Sequence, residues 1–319
     1  MATPLVIDAP LVKPPRQTGD TVARLLTMAF AASILLVTLL LVFQLWNTSA
    51  LARHKFGLAF LWTSEWNPVT EQFGALPFIY GTVVTSAVAL FISLPVGLGS
   101  AIFLSEMAPA KISNALTFLI ELLAAIPSVI YGLLGMFTVV PLMRSYVEPF
   151  LKKTLGFLPL FQGTIFGVDF LTAGLVLSIM TVPFIISVSR ESLLAVPREQ
   201  REAALALGAT RWETTWQIVV PYAKLGILGS VFLALARALG ETMAVTMVIG
   251  NDPKIHASLL APGYSIASVI ANEFSEATGD LYQSALIELG LVLFLLTIVI
   301  NALARLMIIA TTRKGSKRA

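Results

Sequence analysis

The chain has 319 residues, 57% hydrophobic and 12% charged, with a net charge of +3 and a mean hydropathy of +0.86. A soluble domain carries about 25% charged residues, so a water-soluble enzyme is excluded and an all-α integral membrane protein is expected. Cysteine is absent, which removes disulfides, thiolate metal sites and cysteine nucleophiles, and His54 and His256 are too few for an imidazole metal centre.

Residues 1–20, with Pro10, Pro14 and Pro15, read as a disordered cytoplasmic arm. Six apolar spans are predicted after it, at Leu25–Trp46, Phe78–Leu104, Ala115–Leu142, Phe170–Val188, Ile218–Ile249 and Ser284–Ile309. Each reaches the roughly 20 residues needed to cross a hydrocarbon core. Ala50-Leu51-Ala52 imitates a leader cleavage site, but the first apolar core is too long for a secretory leader and is read as an anchor. Residues 21–312 are expected to form one six-helix membrane domain, with a basic tail over 313–319. The outer connections Asn47–Pro77, Met143–Asp169 and Asn251–Gln283 are too short for a ligand-capturing domain, which must then lie on another chain.

Lysine and arginine set the orientation. With the N-terminus inside, 14 of the 21 fall in cytoplasmic segments and six outside, leaving Arg237 alone in the membrane. Both termini are expected in the cytoplasm. This bias accounts for the pI near 9.2 without nucleic acid.

Pro95, Pro127 and Pro183 fall inside predicted spans, and each removes a backbone hydrogen bond. Such prolines are either kinks tolerated by neighbouring helices or breaks that build a polar site at mid-depth. Pro127, in "ELLAAIPSVIYGLLG", is the candidate for the second role because Glu121, Ser128 and Tyr131 surround it.

The longest inner segment is residues 189–221, "SRESLLAVPREQREAALALGATRWETTWQIVVP". Pro197 suits a first helical position, Glu199 and Glu202 suit the positive helix end, and Gly208 suits a left-handed stop. Thr210 and Glu213 have the spacing of a capping box that starts a second helix. Amphipathicity alone fits a helix lying on lipid headgroups. The residues Glu202-Ala203-Ala204, then Gly208, then Ile218-Val219-Val220-Pro221 resemble the EAA loop of ABC importer permeases, with Val220 in place of leucine. In that family the loop docks on the ATP-hydrolysing subunit. Ala203 and Ala204 would give a slim face, Glu202 a carboxylate for basic groups on the partner, and Gly208 the corner before the helix that reaches Pro221. No GxxxxGK[ST] phosphate loop is present, so ATP and Mg belong to a partner and this chain has no cofactor of its own.

The fifth span holds two charges, Arg237 and Glu241, in "ARALGETMAVTMVIGN". On a continuous helix they would share a face about 6 Å apart along the axis. A charge at the bilayer centre costs about 3 kcal/mol, so neither is expected to face lipid. Glu121 and Glu288 fall in other spans, leaving an excess of acid over the one arginine. The pair either pins helix packing or lines a pathway in which the guanidinium meets a tetrahedral oxyanion through paired hydrogen bonds.

"ARALGETMAVTMVIGN" and "ELLAAIPSVIYGLLG" resemble segments of phosphate-specific ABC importer permeases, and "KFGLAFLWTSEWNP" and "NEFSEATGDLYQSALIELGLVLF" resemble the PstC type. The resemblance implies a type I importer fold and a permease subunit of an inorganic phosphate importer in a bacterial inner membrane, working by alternating access. It also implies a heterodimer with a PstA-type permease, a PstB-type ATPase dimer and a PstS-type phosphate-binding protein. Arg237, Glu241 and Glu121 match charged residues of those segments. The alternatives are a permease for sulfate, molybdate or phosphonate, and a proton-coupled secondary anion transporter. An intramembrane hydrolase lacks its Ser–His pair, paired aspartates or metal cluster within the spans.

Overall fold

The computed structural model describes residues 18–316. Most of the expected N-terminal arm (1–17) and the end of the basic tail (317–319) lie outside the described residues. Among the described residues, six helices are long and apolar enough to cross a membrane: Gly19–Thr48, Leu76–Met107, Ser128–Leu155, Phe170–Leu194, Arg211–Gly240 and Asp280–Leu306.

The chain divides into two compact units, residues 1–47 and 48–319. The described part of the first is nearly all of helix α1 (Thr18–Thr48), none of whose most apolar window is buried. A helix apolar on every side is suited to lipid.

The second unit opens with α2 (Ala50–Phe56) and a two-stranded antiparallel ribbon, β1 (Trp66–Asn67) and β2 (Gln72–Phe73), with Trp66 opposite Phe73. Helix α3 (Leu76–Ile102) carries Pro95 within it and ends in a π turn, Phe103–Met107. Helix α4 (Ala110–Ala124) follows. A single apolar rod then runs through α5 (Ser128–Leu134), α6 (Val140–Leu142) and α7 (Glu148–Leu155), joined by π turns. The predicted third span, Ala115–Leu142, is therefore corrected. Pro127 has φ −58° and ψ 141°, so the chain turns out of helix there and the spanning rod begins at Ser128.

Helix α8 (Phe170–Leu194) is capped by the buried Asp169, whose Oδ1 accepts the Thr172 amide at 2.7 Å. It is the central helix, with 61% of its apolar window buried, and it packs along α3, α4 and α11. The long loop after α8 forms α9 (Arg198–Ala206) and α10 (Arg211–Thr214), and a π turn leads into α11 (Val220–Gly240). Pro221 explains that π turn: its ring excludes the carbonyl four residues earlier, and the helix widens to accommodate it. The remaining helices are α12 (Met243–Val248), α13 (Ile266–Glu273) and α14 (Asp280–Ser316). Among the described residues the fold is all-α apart from the small ribbon and a single bridge between Gly250 and Gly263.

The two PstC-like segments come together although they are about 200 residues apart in sequence. Trp66 packs edge-on against Phe73 and Phe78, and its Nε1 donates to Glu273 Oε2 at 2.8 Å. Tyr282 donates its hydroxyl to the same oxygen at 2.6 Å. The segment before α3 and the start of α14 thus close into one aromatic cluster.

Candidate functional site

The expected i, i+4 pair is not a helix face. Helix α11 stops at Gly240, Glu241 is extended at φ −72° and ψ 127°, and α12 restarts at Met243. Arg237 lies in the last turn of α11, where a cation suits the negative end of the helix. Glu241 turns toward the restarted helix, its Oε1 accepting the Ala244 amide at 3.3 Å. Among the described residues the pair makes no ion pair. The break separates the two charges instead of stacking them.

A second break faces the first. Chain direction changes over Ala125–Pro127, between α4 and α5, and the hydroxyl of the buried Tyr131 spans the gap to donate to the Leu123 carbonyl at 2.7 Å. The same carbonyl accepts the Ile126 amide at 3.2 Å, so the hydroxyl ties α5 to a backbone group already bonded within the break. The restarted helices α5 and α12 pack closely: a Cβ added at Gly132 would stand 3.1 Å from the Ala244 Cα and 2.6 Å from Met247 Sδ. Tyr131, Ala238 and Ala244 share one buried cluster with Val176, Leu177 and Met180 of α8.

Arg237 is half-buried beside these breaks. Its guanidinium carbon lies 4.6 Å from the centroid of Phe184, next to Pro183 on α8, a stacking worth about 2 kcal/mol when desolvated. Tyr131 is within electrostatic range. Nε is buried and, among the described residues, has no hydrogen-bond partner. Of the predicted site residues, Arg237 and Tyr131 are therefore brought together. Glu241 is held by the backbone, Ser128 is half-buried at the first position of α5, and Glu121 is exposed on α4. Glu288 is buried on α14, with Arg53 in electrostatic range. Phe184 was not singled out by the sequence, since an aromatic residue in an apolar span carries no signal.

The loop over residues 189–221 folds as its sequence predicts, with one adjustment. Pro197 is the cap of α9 and not its first helical residue. Gly208 adopts φ +90°, the left-handed conformation that ends the helix. Thr210 and Glu213 form the complete capping box. Ala203 and Ala204, with Leu207, Glu213, Thr214 and Ile218, line a shallow cavity of about 410 Å³ between α9 and the α10–α11 segment. Glu202 is exposed, Leu207 is 90% exposed, and Trp212 packs edge-on against the half-exposed Trp216. Pro221 is exposed at the start of α11. Among the described residues, no group of three or more His, Asp or Glu could hold a metal.

Residues 93–310 match the family described as binding-protein-dependent transport system inner membrane component. The chain is 48% identical over 294 residues to the phosphate transport system permease protein PstC of Xylella fastidiosa, covering 91% of this chain and 90% of that protein. It is 51% identical to PstC of Haemophilus influenzae over 80% of this chain and 82% of that protein. It is 37% identical to the probable PstC of Methanocaldococcus jannaschii over 84% and 86%. Among solved structures, a chain of a bacterial alginate ABC transporter, in complex with an alginate pentasaccharide-bound periplasmic protein, superposes with a TM-score of 0.60 at 16% identity. That match covers 91% of this chain and 96% of the other, and at this identity it speaks to fold alone. With six apolar helices and this fold, the molecule is a multi-pass inner-membrane transport subunit, and the chain belongs to the family of PstC-type permeases of phosphate transport systems.

Proposed function

We propose that the chain forms half of the translocation pathway of an ATP-driven inorganic phosphate importer, with Arg237 as its anion contact. The observation that carries this reading is the half-buried guanidinium, which lies at a helix break, stacks on Phe184 and makes no ion pair among the described residues. A charge held in an apolar region without a partner is costly, and a passing oxyanion would satisfy it through the fork. Glu241, across the break, would limit the net positive charge and favour release. Ser128, Tyr131 and Glu121 belong to the facing break and the helix before it, and would line the route as the halves move. Arg237 acts here as an electrostatic binding element, since no bond of phosphate is broken.

In this reading the chain pairs with a PstA-type permease, receives phosphate from a PstS-type binding protein and is driven by a PstB-type ATPase dimer that holds ATP and Mg. Glu202, Ala203, Ala204, Gly208 and Pro221 form the coupling loop. The slim face around Ala203 and Ala204 and the exposed Leu207 suit burial against the ATPase. Both termini are cytoplasmic, residues 21–312 are the membrane domain, and residues 313–319 are a basic tail.

Reconstituting the four components in liposomes tests the reading through uptake of radiolabelled phosphate. Uptake should require ATP and every component, and sulfate, molybdate or a phosphonate in excess should not compete. Uptake by this chain alone in ATP-free vesicles with a proton gradient would establish the secondary-transporter alternative.

A further inference from the structure

Helix α9 contributes no buried residue to the fold. The apolar cluster beneath it is built from Ala101 and Ile102 of α3, Leu193 and Val196 around the end of α8, and Val219, Ala223 and Ile227. The polar link from α9 into this region is Arg201. Its Nε donates to Glu106 Oε2 at 3.2 Å and its Nη2 to Glu106 Oε1 at 3.0 Å. Nη2 also donates to the Leu193 carbonyl at 2.8 Å, and Nη1 donates to the Val196 carbonyl. The two side chains are only 19% and 11% exposed. Glu106 belongs to the π turn that ends α3, while Leu193 and Val196 carry carbonyls at the end of α8. One cation therefore joins three elements.

We infer that the Arg201–Glu106 clamp is the joint through which a displacement of α9 is carried into α3 and α8, making Arg201 a positioning residue for transport. The inference rests on the proposal that this loop docks on the ATPase. Arg201 and Ala203 are two positions apart, about 200° around the helix, so the clamp and Ala203 lie on opposite sides of α9. At its C-terminal end α9 is followed by the left-handed Gly208. Without apolar anchoring, a push on α9 would bend its connections instead of moving the membrane helices. A two-pronged guanidinium–carboxylate pair fixes orientation as well as distance, which a lysine would not.

The test is the number of phosphates imported per ATP hydrolysed by the complete complex in proteoliposomes. Arg201→Met should lower that ratio about tenfold, the scale of losing a charge-assisted hydrogen bond, while the ATPase stays bound and hydrolyses ATP. Because the chain has no cysteine, Glu106→Cys/Arg201→Cys can be bridged cleanly with a short reducible bifunctional thiol reagent. That double variant should be uncoupled when free, recover its ratio when bridged and lose it again on reduction. An unchanged ratio in Arg201→Met, a bridged variant that stays uncoupled, or loss of the ATPase from folded Arg201→Met would each overturn the inference. If Arg201→Met does not fold, the bridged variant decides. Glu202→Lys is run in parallel: if it retains the ATPase and transports normally, the docking proposal fails separately.

Discussion

Two arginines in this molecule, about 35 residues apart in sequence, have opposite surroundings. Arg201 spends its guanidinium on a carboxylate and two backbone carbonyls. Arg237 rests on an aromatic ring and makes no ion pair among the described residues. A satisfied cation holds elements together, whereas the one without an ion pair is the cation we propose as the anion contact. The same division separates the regions they occupy. The elbow at Gly208 is a set of locally encoded stops and caps, and the breaks after Ala124 and Gly240 are defined by elements packing across one another.

Substitutions sharpen this contrast. Arg237→Gln should reduce phosphate uptake by about 100-fold or more, as expected for truncating a buried charged contact, yet leave the thermal midpoint of the purified subunit unchanged or higher. Arg201→Met should lower that midpoint by leaving Glu106 shielded and unpaired. If Arg237→Gln instead transported normally, or lost the midpoint that Arg201→Met kept, the assignment of roles would be reversed. At the elbow, Gly208→Val places a β-branched residue at φ +90°. The strain of about 1–3 kcal/mol should displace the corner and uncouple ATP hydrolysis from uptake, read as phosphate imported per ATP. At the breaks, Gly132→Ala forces a methyl toward Ala244 and Met247. It should destabilise the packing of α5 on α12 by about 1–3 kcal/mol, seen as a lower midpoint in a thermal scan. Thr210→Ala removes one half of the capping box and should cost about 1 kcal/mol, read from faster hydrogen exchange over α10.

The elbow was legible because its signals are local. A glycine that must adopt a left-handed conformation, and a threonine three residues before a glutamate, specify their geometry within one turn of chain. The spans were legible because lipid demands long apolar helices. Pro127 was legible as an interruption, but its consequence, a separate α4 with Glu121 exposed on it, was not. The end of α11 was harder to read. Gly240-Glu241-Thr242 sits inside an apolar run with no proline, so periodicity continued the helix and placed Arg237 and Glu241 on one face. What stops the helix is tertiary: Ala238 and Ala244, on either side of the break, are both buried among α8 residues, and the Glu241 carboxylate takes the amide of the next helix.

By itself the sequence determined that this is a multi-spanning membrane protein with a capped, glycine-cornered loop before α11, because burial in lipid and helix termination depend on residues within a turn or a span. Only the tertiary structure decided which charges meet. It parted Arg237 from Glu241, set Arg237 against Phe184, paired Arg201 with Glu106 across 95 positions and joined Trp66 to Glu273. Such pairings are fixed by the packing of whole helices, and no periodicity along one chain segment can encode them.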